Sequence, residues 1–112
     1  TDFKPDWHIC PKCSAEHSIR PDVVWFGENL PMHIYRKALE AATESDVFIT
    51  VGTSALVYPA ADLPRVARRN YAYTIEFNLD PTPLSRDTDF SVRGKAGESL
   101  PLFLSFLRQF RC

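Results

Sequence analysis

With 112 residues the chain is one domain by size, large enough for a hydrophobic core and short for an enzyme that must hold two substrates. A hydrophobic content of 45% with eight Phe and two Trp excludes a disordered tail. The 13 Lys and Arg nearly cancel the 14 Asp and Glu, and no basic block exceeds Arg68-Arg69, so nucleic acid is not an expected partner.

No apolar stretch approaches the roughly 20 residues of a membrane span, and no charged start leads into an apolar signal segment. A membrane is therefore not an expected partner, and the chain is expected to be soluble and intracellular. Two of its three Cys are spaced as Cys10-Pro11-Lys12-Cys13, which favours a metal half-site over a disulfide framework. Residues 1–19 show no apolar periodicity and read as an irregular segment held by something other than a core. Cys10 and Cys13 supply two of the four ligands of a tetrahedral Zn²⁺. His8 or His17 could complete the set, although each also reads as a solvated side chain, and Cys112 stands apart.

Residues 23–26 are apolar, β-branched and aromatic between Pro21 and Gly27, which predicts a short strand entering a loop. Such a segment either accepts an extended peptide by strand addition or is a buried edge strand. From Met32 to Glu44, apolar Ile34, Ala38, Ala41 and Ala42 recur at helical spacing, which predicts an amphipathic helix. Val47–Val51 is apolar on both faces apart from Thr50 and is expected to be a central parallel strand covered by helices on each side. In the next helix Pro64 must sit in the first turn, so the helix is expected to begin near Asp62, with Asp62 as its cap. Residues 73–77 form a second strand, parallel to the first because a helix connects them. Pro81-Thr82-Pro83 reads as a local turn. The last helix carries two apolar stripes, one of Leu100, Phe103, Leu104 and Leu107 and one of Leu102, Phe106 and Phe110, which requires two packing partners.

Open α/β sheets bind ligands beyond the carboxyl ends of their strands, which here carry Gly52-Thr53-Ser54 and Asn78-Leu79-Asp80. Gly52 allows close backbone approach, Thr53 and Ser54 offer hydroxyls, and Asn78 offers a donor and an acceptor suited to ribose hydroxyls. The bland alternative is that Gly-Thr-Ser turns the strand into a loop and Asn78 caps the next one. No Gly-x-Gly-x-x-Gly run cradles a pyrophosphate.

In order along the chain stand Cys10-x-x-Cys13, Arg20-Pro-x-Val-Val-Trp-Phe-Gly-Glu28, Val51-Gly-Thr-Ser54, Val57-Tyr-Pro-Ala-Ala61, Glu76-Phe-Asn78, and Gly-x-Ala-Gly97 before Leu100-Pro101. By these motifs the chain resembles the C-terminal half of a sirtuin, an NAD-dependent protein-lysine deacylase. The resemblance implies an α/β fold, a partial Rossmann-like parallel sheet with flanking helices, plus half of a small zinc-binding module at the N-terminus. Residues 1–19 would be that partial module and residues 20–112 the C-terminal part of the NAD-binding domain. Cys10 and Cys13 would be the second thiolate pair of the structural zinc. Val24, Trp25, Phe26, Gly27 and Glu28 would pair with the acylated-lysine peptide, and Gly52, Thr53, Ser54, Asn78, Leu79, Asp80 and Ala96 would contact the adenosine half of NAD.

The family's general base is a His in a Gln-Asn-x-Asp context, and none of His8, His17 and His33 stands in one. The family's Gly-Ala-Gly phosphate loop is missing as well, so no catalytic residue is assigned. The expectation is a C-terminal portion, inactive by itself, whose partner is the missing N-terminal half. A non-catalytic zinc-stabilised nucleotide or peptide binder is the alternative, and exposed sheet edges and helix faces would promote self-association. Trp25, residues 78–83 and residues 94–97 are most similar to the bacterial and mitochondrial subgroup that prefers succinyl, malonyl and glutaryl lysine, which implies a cytoplasmic or mitochondrial location.

Overall fold

A computed structural model of the chain describes residues 9–16 and 19–110. His8, His17 and Cys112, the alternative metal ligands, lie outside the described residues. The chain divides into two compact units, Thr1–Leu30 and Pro31–Cys112.

The second unit runs α1 (Met32–Glu44), β1 (Val47–Val51), a 3₁₀ turn (Ala60–Asp62), α2 (Leu63–Arg69), β2 (Tyr73–Asn78), a second 3₁₀ turn (Pro83–Arg86), β3 (Phe90–Arg93) and α3 (Ala96–Gln109). The strands form one parallel sheet in the order β1-β2-β3. Register places Phe48 beside Thr74 and Thr50 beside Glu76 on one face, with Ile49 beside Ile75 and Val51 beside Phe77 on the other. The α/β expectation and the parallel pairing of the two predicted strands hold.

On the first face Ala42 of α1, Ala67 of α2 and Ala72 form a small-residue core against which Phe48, Leu63 and Val66 pack. Alanines at these contacts let two helices lie close to the sheet. The buried stripe of α1 runs through Tyr35, Ala38, Leu39 and Ala42, whereas Ile34 and Ala41 are exposed. The inward face is therefore turned from the predicted one: Tyr35 supplies more buried area than Ile34, and its hydroxyl donates to Pro59 O at 3.4 Å.

The sheet corrects one expectation and adds one strand. β1 is the outer strand rather than the central one: Val47, Ile49 and Val51 remain 49, 42 and 43% exposed. β2 takes the central place, with Thr74, Glu76 and Phe77 almost wholly buried, because β3 flanks its other edge. β3 has no counterpart in the sequence reading, since a four-residue strand reached through a 3₁₀ turn lacks both the length and the helical connection that signal a parallel strand.

The second face of β2 meets α3 through Phe77, whose ring lies edge-on to Phe103 at 5.4 Å. Phe103 of the first stripe of α3 thus finds its partner, whereas Leu102, Phe106 and Phe110 of the second stripe stay 71, 57 and 66% exposed. α2 does begin after Asp62 with Pro64 in the first turn. The Asp62 side chain makes no capping bond: its backbone is helical, φ −89° and ψ −17°, as part of the preceding 3₁₀ turn, and Pro64 has no N–H to donate to it. Thr82 caps the second 3₁₀ turn in a reciprocal pair with Ser85, so Pro81-Thr82-Pro83 is the local turn expected. Among the described residues no helix is long and apolar enough to cross a membrane.

Candidate functional site: strand tips and a stapled loop

At the carboxyl end of β1, Gly52 takes φ +62°, a left-handed conformation that strains any side-chain-bearing residue. Its N–H still donates to Phe77 O at 2.9 Å, so the ladder continues one residue past the strand before the chain turns. Thr53 Oγ1 accepts from Ala55 N–H at 3.1 Å and closes the turn, leaving Ser54 exposed beside it.

Asn78 ends β2 and ties the two strand tips together. Its Nδ2 donates to Thr53 O at 2.8 Å, and its Oδ1 accepts from Leu79 N–H at 2.9 Å. One amide hydrogen and one acceptor position of the side chain remain for a ligand. The Asn78 carbonyl accepts from Gly94 N–H at 3.1 Å, which draws the end of β3 and the start of α3 at Ala96 to the same rim. Lys95 caps α3 through its backbone alone, its carbonyl accepting from Glu98 and Ser99. Gly52, Thr53 and Asn78 are thus brought together directly, with Leu79 and Asp80 following Asn78 in an exposed loop. Beneath Thr53 lies a largely apolar cavity of about 170 Å³, lined in part by Phe48, Thr50, Val57 and Leu63.

Sequence reasoning missed Arg93 and the role of Glu76. Glu76 is 1% exposed and receives hydrogen bonds from the Thr82 hydroxyl, from Ser85 Oγ at 2.6 Å, from Ser91 Oγ at 3.2 Å and from Arg93 Nη2 at 2.9 Å. Burial pushes its carboxyl up, and the donors Ser85, Thr82 and Arg93 override this and hold it below its ordinary value. The signal was a lone Arg at the end of the apolar alternation Phe90-Ser91-Val92-Arg93, immediately before a glycine.

In the first unit, residues 20–28 form a stapled loop. Arg20 grips Glu28 with two parallel bonds, Nη1 to Oε1 at 2.6 Å and Nη2 to Oε2 at 2.9 Å. Glu28 Oε2 also accepts from Trp25 N–H at 3.1 Å, while Glu28 N–H donates to Trp25 O at 3.0 Å. Arg20, followed by the Trp25 N–H, holds the Glu28 carboxyl at about 2 against an ordinary 4.5. Its carboxylate is therefore charged throughout the neutral range and is engaged within the loop. Gly27 at φ +87° turns the chain back.

This arrangement corrects the predicted strand at residues 23–26. Among the described residues these pair with no strand, and the Val23 and Trp25 backbones bond within the loop instead. The buried-edge reading fails with it: Val24, Trp25 and Phe26 are 44, 54 and 93% exposed, a row of apolar side chains held out to solvent.

Cys10 and Cys13 flank a tight turn, closed by Ser14 N–H to Cys10 O at 2.8 Å and Cys10 N–H to Ala15 O at 3.0 Å and bounded by an antiparallel bridge between Ile9 and Glu16. Among the described residues no group of three His, Cys, Asp or Glu gathers in a metal-holding arrangement. The donor set fits two positions of a Zn²⁺ tetrahedron.

The Sir2 family profile matches residues 2–59, more than half of the chain. The chain belongs to the Sir2 family. It is 47% identical over 93 residues to NAD-dependent protein deacylase 2 of Pyrobaculum aerophilum, covering 83% of this chain and 36% of that protein. It is 48% identical over 97 residues to the NAD-dependent protein deacylase of Mycobacterium tuberculosis, covering 87% of this chain and 41% of that protein. The chain thus spans about two fifths of the length of the curated relatives it matches. Among solved structures, a mutant Sir2 homologue in complex with ADP-ribose superposes with a TM-score of 0.80 at 42% identity, over 95% of this chain and 42% of that one. A Sir2 enzyme bound to a myristoylated histone peptide superposes at 0.78 and 40% identity, over 92% of this chain and 44% of that one. The three-stranded parallel sheet with its flanking helices is the corresponding part of the sirtuin Rossmann-like fold.

Proposed function

We propose that this chain serves NAD-dependent removal of acyl groups from protein lysines, supplying the adenosine-binding strand tips and the peptide-facing loop of a deacylase. The observation that carries the reading is the amide of Asn78 joined to Thr53 O at 2.8 Å, which fixes the ends of β1 and β2 as one surface with a hydrogen-bond donor and an acceptor still available. Gly52 lets a nucleotide approach the backbone there, and the start of α3 at Ala96, with no side chain capping it, supplies a partial positive charge. The solved relative with ADP-ribose supports the ligand class, and the myristoylated-peptide complex supports the peptide role of Val24, Trp25 and Phe26.

In this reading Val24, Trp25 and Phe26 meet an acyl-lysine peptide, and Gly27 and Glu28 hold them in place through the Arg20 staple. Cys10 and Cys13 would hold half of a structural Zn²⁺, which orders the turn they flank and takes no part in the chemistry. The acyl group is acetyl or an acidic acyl such as succinyl or malonyl, the latter suggested by the subgroup likeness of Trp25 and residues 78–83 and 94–97.

Isothermal titration with ADP-ribose tests the reading. Saturable one-to-one binding, weakened about tenfold by Asn78→Ala through loss of one hydrogen bond of ~1.4 kcal/mol, is the expected result. No binding to the wild-type protein at millimolar ADP-ribose overturns it. A non-catalytic binder is the second reading, favoured by the absence of a catalytic His context around His33. Appearance of nicotinamide from NAD and an acyl-lysine peptide, once a sirtuin N-terminal segment is supplied in trans, excludes it.

A further inference from the structure

We propose that Glu76 and Arg93 are positioning residues for nucleotide binding, clamping the loop after β2 so that Asn78, Leu79 and Asp80 meet the ligand in one fixed shape. The inference rests on the nucleotide reading above and adds two residues that the motifs left without a role.

A carboxylate in the middle of a parallel sheet is costly, and a well-packed apolar side chain serves stability as well or better. Glu76 is nevertheless buried at the central position of β2, flanked in register by Thr50 and Ser91. Its partners reach it from two elements: Thr82 and Ser85 from the 3₁₀ turn, Ser91 and Arg93 from β3. Among the described residues no buried side-chain polar atom is left without a partner, so this network is saturated.

Arg93 extends the network to the rim. Nη2 bonds Glu76 Oε2 at 2.9 Å and Ser85 Oγ at 2.7 Å, and Nη1 donates to the backbone carbonyl of Asp80 at 3.0 Å. The loop is therefore held at three points: Asn78 by its pairing with Arg93 in the ladder and by Thr53, Asp80 by the guanidinium, and Thr82 by the buried carboxylate. Leu79, 61% exposed, lies between two of them. A planar guanidinium reaches a carboxylate and a carbonyl at once, whereas an ammonium on a flexible stem is a point charge that serves one or the other. A fixed loop binds more tightly because its ordering cost is already met before the ligand arrives.

The test is Arg93→Lys in the whole chain, read by ADP-ribose titration, by the backbone amide signals of Leu79 and Asp80, and by thermal melting. We expect the affinity to fall tenfold or more and the two amides to broaden or exchange faster. Phe103→Ala, which removes a ring lying edge-on to Phe77 on the sheet face opposite Glu76, is the stability control: it lowers the melting temperature at least as much and leaves affinity within about twofold. Arg93→Lys with unchanged Leu79 and Asp80 amides overturns the clamp, as does a loss of affinity matched by Phe103→Ala. Wild-type protein that fails to bind ADP-ribose overturns the nucleotide assignment instead, a failure seen before any variant is made.

Discussion

The two faces of the sheet differ in how completely this chain finishes them. On the face of Phe48, Thr50, Thr74 and Glu76, α1 and α2 cover the apolar side chains, and every buried side-chain polar atom among the described residues is matched. Asp89 illustrates the care taken there: its carboxylate accepts from both the N–H and the hydroxyl of Thr74, at 2.8 and 2.9 Å, and pins β3 to β2. On the face of Val47, Ile49, Val51, Tyr73 and Phe90, α3 shields Phe77 and leaves those five between 42 and 63% exposed. A contiguous apolar surface of this kind marks an interaction site. The proposed nucleotide rim sits where both faces end, so its geometry depends on the finished face and its surroundings on the open one.

The largest effect expected is at the residue that joins the two. Phe77 is fully buried and carries the contact with Phe103, so Phe77→Ala is expected to cost about 3–5 kcal/mol in urea denaturation. A cost near that of a surface substitution would show that α3 does not hold to the sheet. The second effect concerns acid. The Glu76 carboxyl is held below its ordinary 4.5, so its contribution is fully present above that value and is lost as pH falls through the lowered one. Wild-type protein is therefore expected to lose stability steeply below about pH 4.5, and Glu76→Gln to start less stable and lose less. Parallel acid profiles would remove Glu76 from the account of the finished face. The smallest effect on stability is expected on the open face: Ile49→Lys changes it by about 0.5 kcal/mol or less, yet lowers the average mass seen by light scattering at high concentration. An unchanged mass would show that this face does not mediate self-association.

The same contrast explains what the sequence made legible. α1, β1 and β2 were readable because each is built on a local period, and the parallel pairing follows from the helix between the strands. The meeting of Thr53 and Asn78 was readable for a related reason: parallel strands send their carboxyl ends to one rim. What failed was whatever depends on a partner distant in sequence. Val47, Ile49 and Val51 look as buried as Phe48 in a one-dimensional pattern, and only the strand order separates them. Residues 23–26 have strand composition, and the staple between Arg20 and Glu28, eight positions apart, prevails over it. β3 and the Glu76–Arg93 clamp were invisible because Glu76 reads as a polar interruption until Thr82, Ser85, Ser91 and Arg93 converge on it.

The crossbar between the strand tips has one more consequence. A side-chain amide can usually be turned end for end with little change in shape, but here the Thr53 carbonyl and the Leu79 N–H fix which end is nitrogen and which is oxygen. By the same logic, deamidation of Asn78 exchanges a single NH₂ for oxygen and sets a carboxylate against a carbonyl at 2.8 Å, so that chemical ageing at this one atom would pry the two strands' ends apart.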